Sequence, residues 1–202
     1  MSRVEEKKQQ KKKALMNSAY DLFTTVGFHK TTIMAIALRA GVAKGTFYLW
    51  FKDKEDIRNA LIIAKSSELL TDALAELEHA PREMSPLDKL IYIVDYVITC
   101  LSRDIALLRF IAKNLSWGLF TRSNLYQPAD ENSAPLSFRD FIRQLLEEDN
   151  VQPTREMELA IFTTIELVGS TCYSVILNGE PVTLSEYKPY LFRCIRRLFD
   201  PE

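Results

Sequence analysis

The 202-residue chain is 47% apolar and 26% charged, a composition that excludes an intrinsically disordered protein and leaves room for one or two folded domains. Its net charge of −1 conceals a division, because residues 1–54 hold 11 basic and 4 acidic residues. That segment carries a net charge of +7, and the remainder carries −8. A basic N-terminal part on an acidic body predicts a polyanionic partner for the N-terminal part alone.

Cysteine and histidine usage argues against metal or thiol chemistry. Cys100, Cys172 and Cys194 are widely spaced and form no CxxC pair, which is typical of small side chains on buried helix faces. A zinc site or a catalytic thiol is the alternative, but His29 and His79 stand alone and complete neither. We therefore predict a protein without a metal ion or cofactor.

Two features of the sequence bear on location. The N-terminus carries lysines but lacks the apolar segment of a signal peptide. The longest uncharged apolar stretch, residues 167–179, is too short to cross a bilayer. Together these features predict a cytoplasmic, reducing location.

Four helices are predicted in the first third of the chain. The first ends at Gly27, and the second is capped by Thr31 and ends at Gly41. A short third helix is predicted over 44–50, and Asp53 is placed to cap a long helix over about 54–78. The apolar faces of the first two helices are predicted to be Leu15, Ala19, Leu22, Phe23 and Val26, and Ile33, Ile36, Ala37 and Ala40.

The rest of the chain is also predicted to be helical. Residues 118–135, which include two prolines, predict a loop or a partly ordered lid. No strand pattern with a partner is found, so the predicted fold class is all-α. Helices are predicted over 86–102 (with Ser85 as the cap), 104–117, 136–149, 154–177 and 185–199.

The segment from Phe47 to Phe51 is unusually aromatic, with lysines on both sides. At about 100° per residue, Phe47 and Phe51 lie on one side of the third helix and are predicted to be core. Tyr48 falls on the opposite side and is predicted to face outward. Trp50 is predicted to sit on the flank. The outward side is predicted to hold Lys44, Gly45, Tyr48 and Leu49.

This outward side suits a DNA backbone. The Tyr48 hydroxyl can donate to a phosphate oxygen, and Gly45 lets the helix backbone approach a groove wall. Lys44, Lys52 and Lys54 supply positive charge, and each phosphate they neutralise releases condensed counterions.

The preceding helix adds to the pattern. Thr31 and Thr32 offer hydroxyls beside the positive end of a helix, where a phosphate is favoured. Two short helices joined through residues 40–42 fit a helix-turn-helix, whose second helix enters the major groove. The alternative is a solvated basic surface on a small helical subdomain.

Residues 11–57, and above all TTIMAIALRAGVAKGTFYLWFKDKEDI, resemble the N-terminal domain of the TetR family of bacterial transcriptional regulators. The motif comprises Thr-Thr at the second helix, Ala-Gly-Val at the turn, Lys-Gly-Thr-Phe-Tyr on the third helix, and Phe-Lys-Asp-Lys-Glu-Asp before the fourth. The resemblance implies a three-helix helix-turn-helix domain over 1–53 and a larger helical effector-binding and dimerisation domain over 54–202.

The same resemblance implies particular DNA contacts. Trp50 stands where tyrosine or histidine is more usual, so its phosphate contact would come from the indole N–H or be missing. Leu49 is placed to touch a thymine methyl group. The residues that match the family's DNA-contacting positions are Thr31 or Thr32, Lys44, Gly45, Thr46, Tyr48 and Lys54.

The basic run over residues 7–13 permits two interpretations. It is either the solvated start of the first helix or a basic arm that strengthens DNA binding without regard to sequence. The sequence leaves both open.

The body is predicted to form a homodimer, because one short recognition helix contacts few bases and such proteins bind palindromic sites as dimers. The last two helices are the candidates for the interface, as they are in the family, and both carry broad apolar stripes in this sequence. Such stripes serve either as core or as interface. The predicted interface residues are Ile161, Ile165, Val168, Gly169, Cys172, Leu191, Ile195 and Leu198.

The family resemblance also implies a small-molecule effector bound in a cavity of the body. Aromatic residues there favour a largely apolar inducer, with polar anchors among them. The predicted lining is Tyr92, Tyr96, Cys100, Arg109, Phe110, Asn114, Trp117, Phe120, Phe162 and Tyr173.

The predicted function is therefore a repressor that binds a palindromic operator as a dimer and is released by a ligand. One alternative is a helix-turn-helix regulator without a small-molecule effector. Another is a small helical enzyme, but the sequence shows no nucleophile arrangement, metal-ligand cluster or phosphate-binding glycine loop.

Overall fold

The computed structural model describes residues 3–81, 83–120, 138–146, 152 and 154–199. These residues form α-helices joined by turns and two short 3-10 segments, and no strand occurs among them, so the predicted all-α fold is confirmed. The helices are α1 (Arg3–Thr25), α2 (Ile33–Arg39), α3 (Lys44–Tyr48), α4 (Lys54–Ala75), α5 (Pro86–Arg103), α6 (Ile105–Ile111), α7 (Leu115–Phe120), α8 (Phe138–Leu146), α9 (Arg155–Asn178) and α10 (Leu184–Phe199).

The chain divides into two compact units within α4, between Ala64 and Lys65. In the first unit α1 packs against α2, and α2 packs against α3. Burial of apolar side chains from all four helices stabilises this unit. Its core includes Leu15, Met16, Ala19, Phe23, Ile36, Ala37, Phe47, Phe51, Ile57, Ala60 and Leu61.

The turns of the first unit follow from local hydrogen bonds. Thr32, not Thr31, caps α2, because the Thr32 hydroxyl oxygen accepts a 3.1 Å bond from the Ala35 amide. Gly41 follows α2 with a φ of +67°, a left-handed conformation that a residue with a Cβ adopts only with strain. α3 ends at Tyr48, two residues earlier than predicted. Asp53 caps α4 as predicted, with a 2.9 Å bond to the Asp56 amide.

Several helix ends in the second unit differ from the predicted ones. α4 gives way to a 3-10 segment at Glu76–His79, and another at Ala112–Asn114 interrupts the helix predicted over 104–117. α7 continues to Phe120, so residues 118–120 are helical where a loop was predicted. Most of that predicted loop lies outside the described residues.

The second unit is built around α9, which contacts α5, α6, α7, α10 and the 3-10 segment at Ala112–Asn114. At Gly169 on α9, an added Cβ would lie only 2.5 Å from the Ala112 carbonyl oxygen. The absence of a side chain at this position therefore lets the two backbones approach each other. The core includes Leu69, Leu90, Ile93, Val97, Ile98, Leu101, Leu108, Ile111, Phe141, Ile142, Leu145, Ile161, Val168, Cys172, Leu191 and Ile195.

By length and composition alone, α9 could span a membrane, with a mean hydropathy of 1.5 over its most apolar window. The prediction from sequence considered only the uncharged stretch 167–179, but α9 also includes the apolar residues on the N-terminal side of Glu166. Of that window, 44% is buried inside the protein. A helix at the centre of a helical body has the same apolar composition, so the feature is accounted for by packing.

Candidate nucleic-acid interface

Helix α3 separates its aromatic side chains into an inner and an outer set, as predicted. Phe47 and Phe51 are buried, with ring centroids 5.7 Å apart. Tyr48 is 51% exposed and meets Phe47 edge-on at 5.5 Å. The buried pair anchors the short helix to the core, and the exposed side is left available to a partner.

The exposed side of α3, which we call the α3 edge, consists of Lys44, Gly45, Tyr48 and the C-cap residue Leu49. The Lys44 ammonium lies 6.0 Å from the centre of the Tyr48 ring, so a cation and a phenol stand side by side. A Cβ built on Gly45 would meet no atom within 4 Å. Leu49 is 75% exposed, although burial in the core would favour its side chain. The edge thus offers a charge, a hydroxyl, open backbone and one apolar side chain.

Three further predicted contacts border the edge. Thr32 is exposed, and its hydroxyl, which accepts the capping bond, can still donate to an anion. Lys52 is exposed, and its backbone amide donates a 2.8 Å bond to Asp56. Thr46 is half-buried. The geometry is compatible with phosphate contacts from Thr32 and Lys52.

Thr31 does not belong to this surface. Its side chain is buried, and its hydroxyl donates a 2.8 Å bond to the Gly27 carbonyl and a 3.3 Å contact to the Leu22 carbonyl. Because the hydroxyl is used inside the protein, the prediction that Thr31 offers a phosphate contact is wrong. Its role is to tie the turn after α1 to that helix.

Lys54 is also turned inward. Its ammonium donates to the carbonyl oxygens of Phe28 at 2.7 Å and Thr31 at 2.9 Å, with a longer 3.3 Å bond to His29. It lies 4.4 Å from the centre of the Phe28 ring. A lysine that satisfies all three N–H groups in this way has none left for a phosphate, so the predicted DNA contact is replaced by a structural one.

Trp50 contacts the first helix. The ammonium groups of Lys8 and Lys12 lie 5.3 Å and 5.2 Å from the centre of its ring. Lys12 is buried, and burial lowers the pKa of its ammonium group. The sequence analysis did not anticipate this contact. The signal was present, since the buried positions Leu15 and Ala19 continue at helical spacing to Lys12 and Lys8.

A small apolar cavity of about 20 Å³ lies in the second unit. Thr164 is the one polar side chain among the described residues that line it, and its hydroxyl donates a 2.9 Å bond to the Ala160 carbonyl. Space of this size holds about one water-sized probe. The cavity is lined by Leu70, Leu90, Ile93, Val94, Val97, Leu115, Phe141, Thr164, Ile165 and Val168.

A larger, open pocket of about 890 Å³ lies beside the 3-10 segment at Glu76–His79, and its lining includes Glu78, Lys89 and Gln144. None of the predicted effector residues with a described side chain lines either cavity. The small cavity is faced mostly by aliphatic side chains, with Phe141 as an aromatic among them, and those predicted effector residues lie elsewhere. Tyr92, Tyr96, Cys100, Phe110, Asn114 and Tyr173 are half-buried, Arg109 and Phe162 are exposed, and the side chains of Trp117 and Phe120 lie outside the described set.

The structure corrects the predicted dimer interface. All but one of the predicted residues are buried within the subunit itself, so they are not available to a partner. Only Leu198 is partly accessible. The residues removed from the interface by this burial are Ile161, Ile165, Val168, Gly169, Cys172, Leu191 and Ile195.

A different face of the last two helices remains accessible. On α9, Leu159 is 49% exposed and Phe162 is 37% exposed. On α10, Tyr190 is 57% exposed. Tyr190 also contacts Tyr187 and Arg193 within the subunit, and exposed apolar side chains of this size are typical of interaction surfaces.

Comparison with known proteins identifies the motif. Residues 15–61 match the family model described as "Bacterial regulatory proteins, tetR family". The HTH-type transcriptional regulator BetI of Escherichia coli O17:K52:H18 is 26% identical over 175 residues, which is 85% of either chain.

Solved structures share the fold of the whole chain. A TetR transcriptional regulator from Rhodococcus sp. RHA1 superposes with a TM-score of 0.65 at 20% identity, covering 95% of this chain and 96% of that one. Thermus thermophilus FadR, described as a TetR family transcriptional repressor in complex with lauroyl-CoA, gives 0.61 at 19% identity, covering 94% and 95%.

Proposed function

We infer that this chain, which belongs to the TetR family of bacterial transcriptional regulators, binds double-stranded DNA through the α3 edge. The observation that carries the inference is the pairing of exposed Tyr48 and Lys44 on a helix that Phe47, and Phe51 just beyond its end, fix in the core. A rigidly anchored helix presents its outer side chains in a defined geometry, which groove recognition requires. In this proposal residues 1–53 form the DNA-binding domain.

Phosphate contacts would come from the polar groups around the edge. Lys44 and Lys52 supply charge, and the hydroxyls of Tyr48 and Thr32 donate hydrogen bonds to phosphate oxygens. The net charge of +7 on residues 1–54 supports attraction to the duplex before specific contacts form.

Base recognition would be mainly apolar. The α3 edge contains no arginine, asparagine or glutamine, the side chains that make bidentate hydrogen bonds to guanine or adenine. Its aliphatic side chain is Leu49, which is 75% exposed and suits the C5-methyl group of thymine in the major groove. We therefore expect half-sites with thymine at the position that Leu49 reaches.

The operator is proposed to be palindromic and to be bound by a homodimer. The accessible face with Leu159 and Phe162 on α9 and Tyr190 on α10 is the proposed dimer surface, in place of the buried residues. Phe162→Glu should yield a monomer by light scattering because it places a charge at the centre of an apolar contact. The matched change Leu38→Glu, at a 78% exposed apolar side chain of the first unit, should leave a dimer, and a dimeric Phe162→Glu protein would refute this surface.

Repression relieved by a small, largely apolar ligand is the proposed mode of action, in the cytoplasm. The apolar lining of the cavity around Thr164 supports a ligand of that class. A cavity of about 20 Å³ would have to widen to admit one, so the ligand would favour a state with a more open body. A regulator without an effector is the second candidate, supported by the small size of the closed cavity. Ligand-dependent thermal shifts across an acyl and aromatic panel would separate the two.

DNA binding itself is tested by selecting bound sequences from random duplex DNA. The proposal predicts enrichment of an inverted repeat with half-site centres about one helical turn, or a multiple of it, apart. Thymine should recur at a fixed position in each half-site. A pool that shows no enrichment after several rounds would contradict specific DNA binding by this protein.

A further inference from the structure

The inward side of α1 is apolar in its C-terminal half but carries lysines toward its N-terminus. Leu15, Ala19 and Phe23 are buried on this side, as in an ordinary amphipathic helix. One and two turns toward the N-terminus, the same side carries Lys12 and Lys8. Lys12 is only 7% exposed, which is unusual for a lysine. The start of α1 is therefore packed against the protein, and its lysines are not all part of a solvated face.

The ammonium groups of these two lysines pack on the indole ring of Trp50. Both ammonium groups lie within the distance of about 6 Å at which a cation is attracted to an aromatic ring, and tryptophan binds cations most strongly. Trp50 follows the C-terminal end of α3 and is two residues beyond Tyr48. The contact therefore joins the first turns of α1 to the end of the recognition helix.

Lys8 and Lys12 differ in what they can offer to a partner. The side chain of Lys8 is 55% exposed, and among the described residues it forms one ion pair, a long 3.9 Å contact to Glu5 on the same helix. Such an exposed pair contributes little and is readily exchanged. Lys12 is enclosed, so it can hold α1 in place but cannot reach a phosphate.

We propose that Trp50 is a positioning residue, whose ring holds the start of α1 against α3 so that Lys8 contacts a DNA phosphate beside the α3 edge. The proposal rests on the proposed DNA binding and adds a second, sequence-independent contact to it. It also gives a role to the basic run over residues 7–13, as a docked part of α1 with a fixed place next to the recognition helix. Trp50 itself makes no phosphate contact in this arrangement.

The experiment measures the dissociation constant for a selected duplex across a range of salt concentrations. Each phosphate contact contributes about 0.9 to the slope of log K against log salt. Lys8→Gln should lower that slope by about 1 and weaken binding several-fold on any sequence. Lys7→Gln, one residue away and not on the Trp50 ring, is the matched control and should change the slope less.

Substitutions of Trp50 separate positioning from direct contact. Trp50→Leu should lower the slope as much as Lys8→Gln does, and the double variant should be no weaker than either single one. Trp50→Phe keeps an aromatic face and deletes the indole N–H, so it should bind nearly as the wild type does.

Three results would overturn the proposal. If Trp50→Phe lost as much DNA affinity as Trp50→Leu, the indole N–H would contact the DNA directly. If the losses of affinity from Trp50→Leu and Lys8→Gln were additive in the double variant, the two residues would act independently. An unchanged slope for Lys8→Gln would show that this lysine does not reach DNA. If thermal melting shows that Trp50→Leu does not fold, the slope for Lys8→Gln and the affinity of Trp50→Phe still test the proposal. A wild-type protein that binds no duplex would instead contradict the proposed function.

Discussion

Gly45→Ala separates the needs of folding from those of DNA binding. Gly45 lies within α3, has an ordinary helical conformation, and has no atom within 4 Å of where a Cβ would be. In the free protein the added methyl group therefore meets only solvent. If the duplex lies against the α3 edge, the same methyl group lies between the helix backbone and the groove wall.

The methyl group should raise the stability of the free protein and lower its affinity for DNA, and the loss of affinity should be the larger effect. Replacing glycine by alanine in a helix stabilises it by about 0.5–1 kcal/mol, which corresponds to a rise in Tm of about 1–4 °C for a chain of this length. A methyl group forced into a close-packed contact costs about 1–3 kcal/mol, or roughly a 5- to 150-fold loss of affinity. The variant should thus be more stable and bind DNA more weakly.

Differential scanning calorimetry and fluorescence anisotropy with a selected duplex measure the two effects. Gly41→Ala is the matched control, because that site is equally open but has a φ of +67°. The strained backbone should make this variant less stable by about 1–2 kcal/mol. A Gly45→Ala protein that binds DNA as tightly as the wild type would refute the placement of the duplex against this edge.

Three further outcomes are expected. Replacing the thymines of the selected half-site by uracil should weaken the wild type, whereas Leu49→Ala should be insensitive to the same change; equal sensitivity would exclude the methyl contact. Gly169→Ala should lower the free energy of unfolding by about 1–3 kcal/mol, since its Cβ would lie 2.5 Å from the Ala112 carbonyl oxygen, and an unchanged melting temperature would contradict that packing. Burial raises the pKa of the Cys172 thiol to about 11, so at pH 8 it should be alkylated far more slowly than the other two cysteines, as mass spectrometry would show.

The fold and the orientation of α3 could be predicted from the sequence because they depend on local patterns. Four-residue spacing placed Phe47 and Phe51 together in the core and left Tyr48 outside. The cap at Asp53 and the left-handed Gly41 are likewise set by neighbouring residues. Such features need no knowledge of distant contacts.

The errors at the site arose from contacts between segments far apart in the chain. Lys54 binds carbonyl groups more than twenty residues away, and the ring of Trp50 meets lysines from the start of α1. A lysine count records charge but not the direction of a side chain. Thr31 and Thr32 differ by one residue, yet only the backbone geometry shows which hydroxyl caps α2 and which is buried.

The body posed a different difficulty. An apolar stripe on α9 is equally suited to the core of one subunit and to an interface between two. Neighbouring helices cover Ile165 and Val168, while Leu159 and Phe162 stay accessible. Periodicity gives the angular position of a stripe but does not say which neighbour covers it.

The central claim is that the α3 edge binds the DNA backbone, and the salt dependence of DNA binding tests it most directly. Lys44→Gln should lower the slope of log K against log salt by about 1 and weaken binding to selected and unselected duplexes alike. Tyr48→Phe, which keeps the ring and removes the hydroxyl, should weaken binding by about fivefold with little change in slope. Wild-type slope and affinity in both variants would contradict the account.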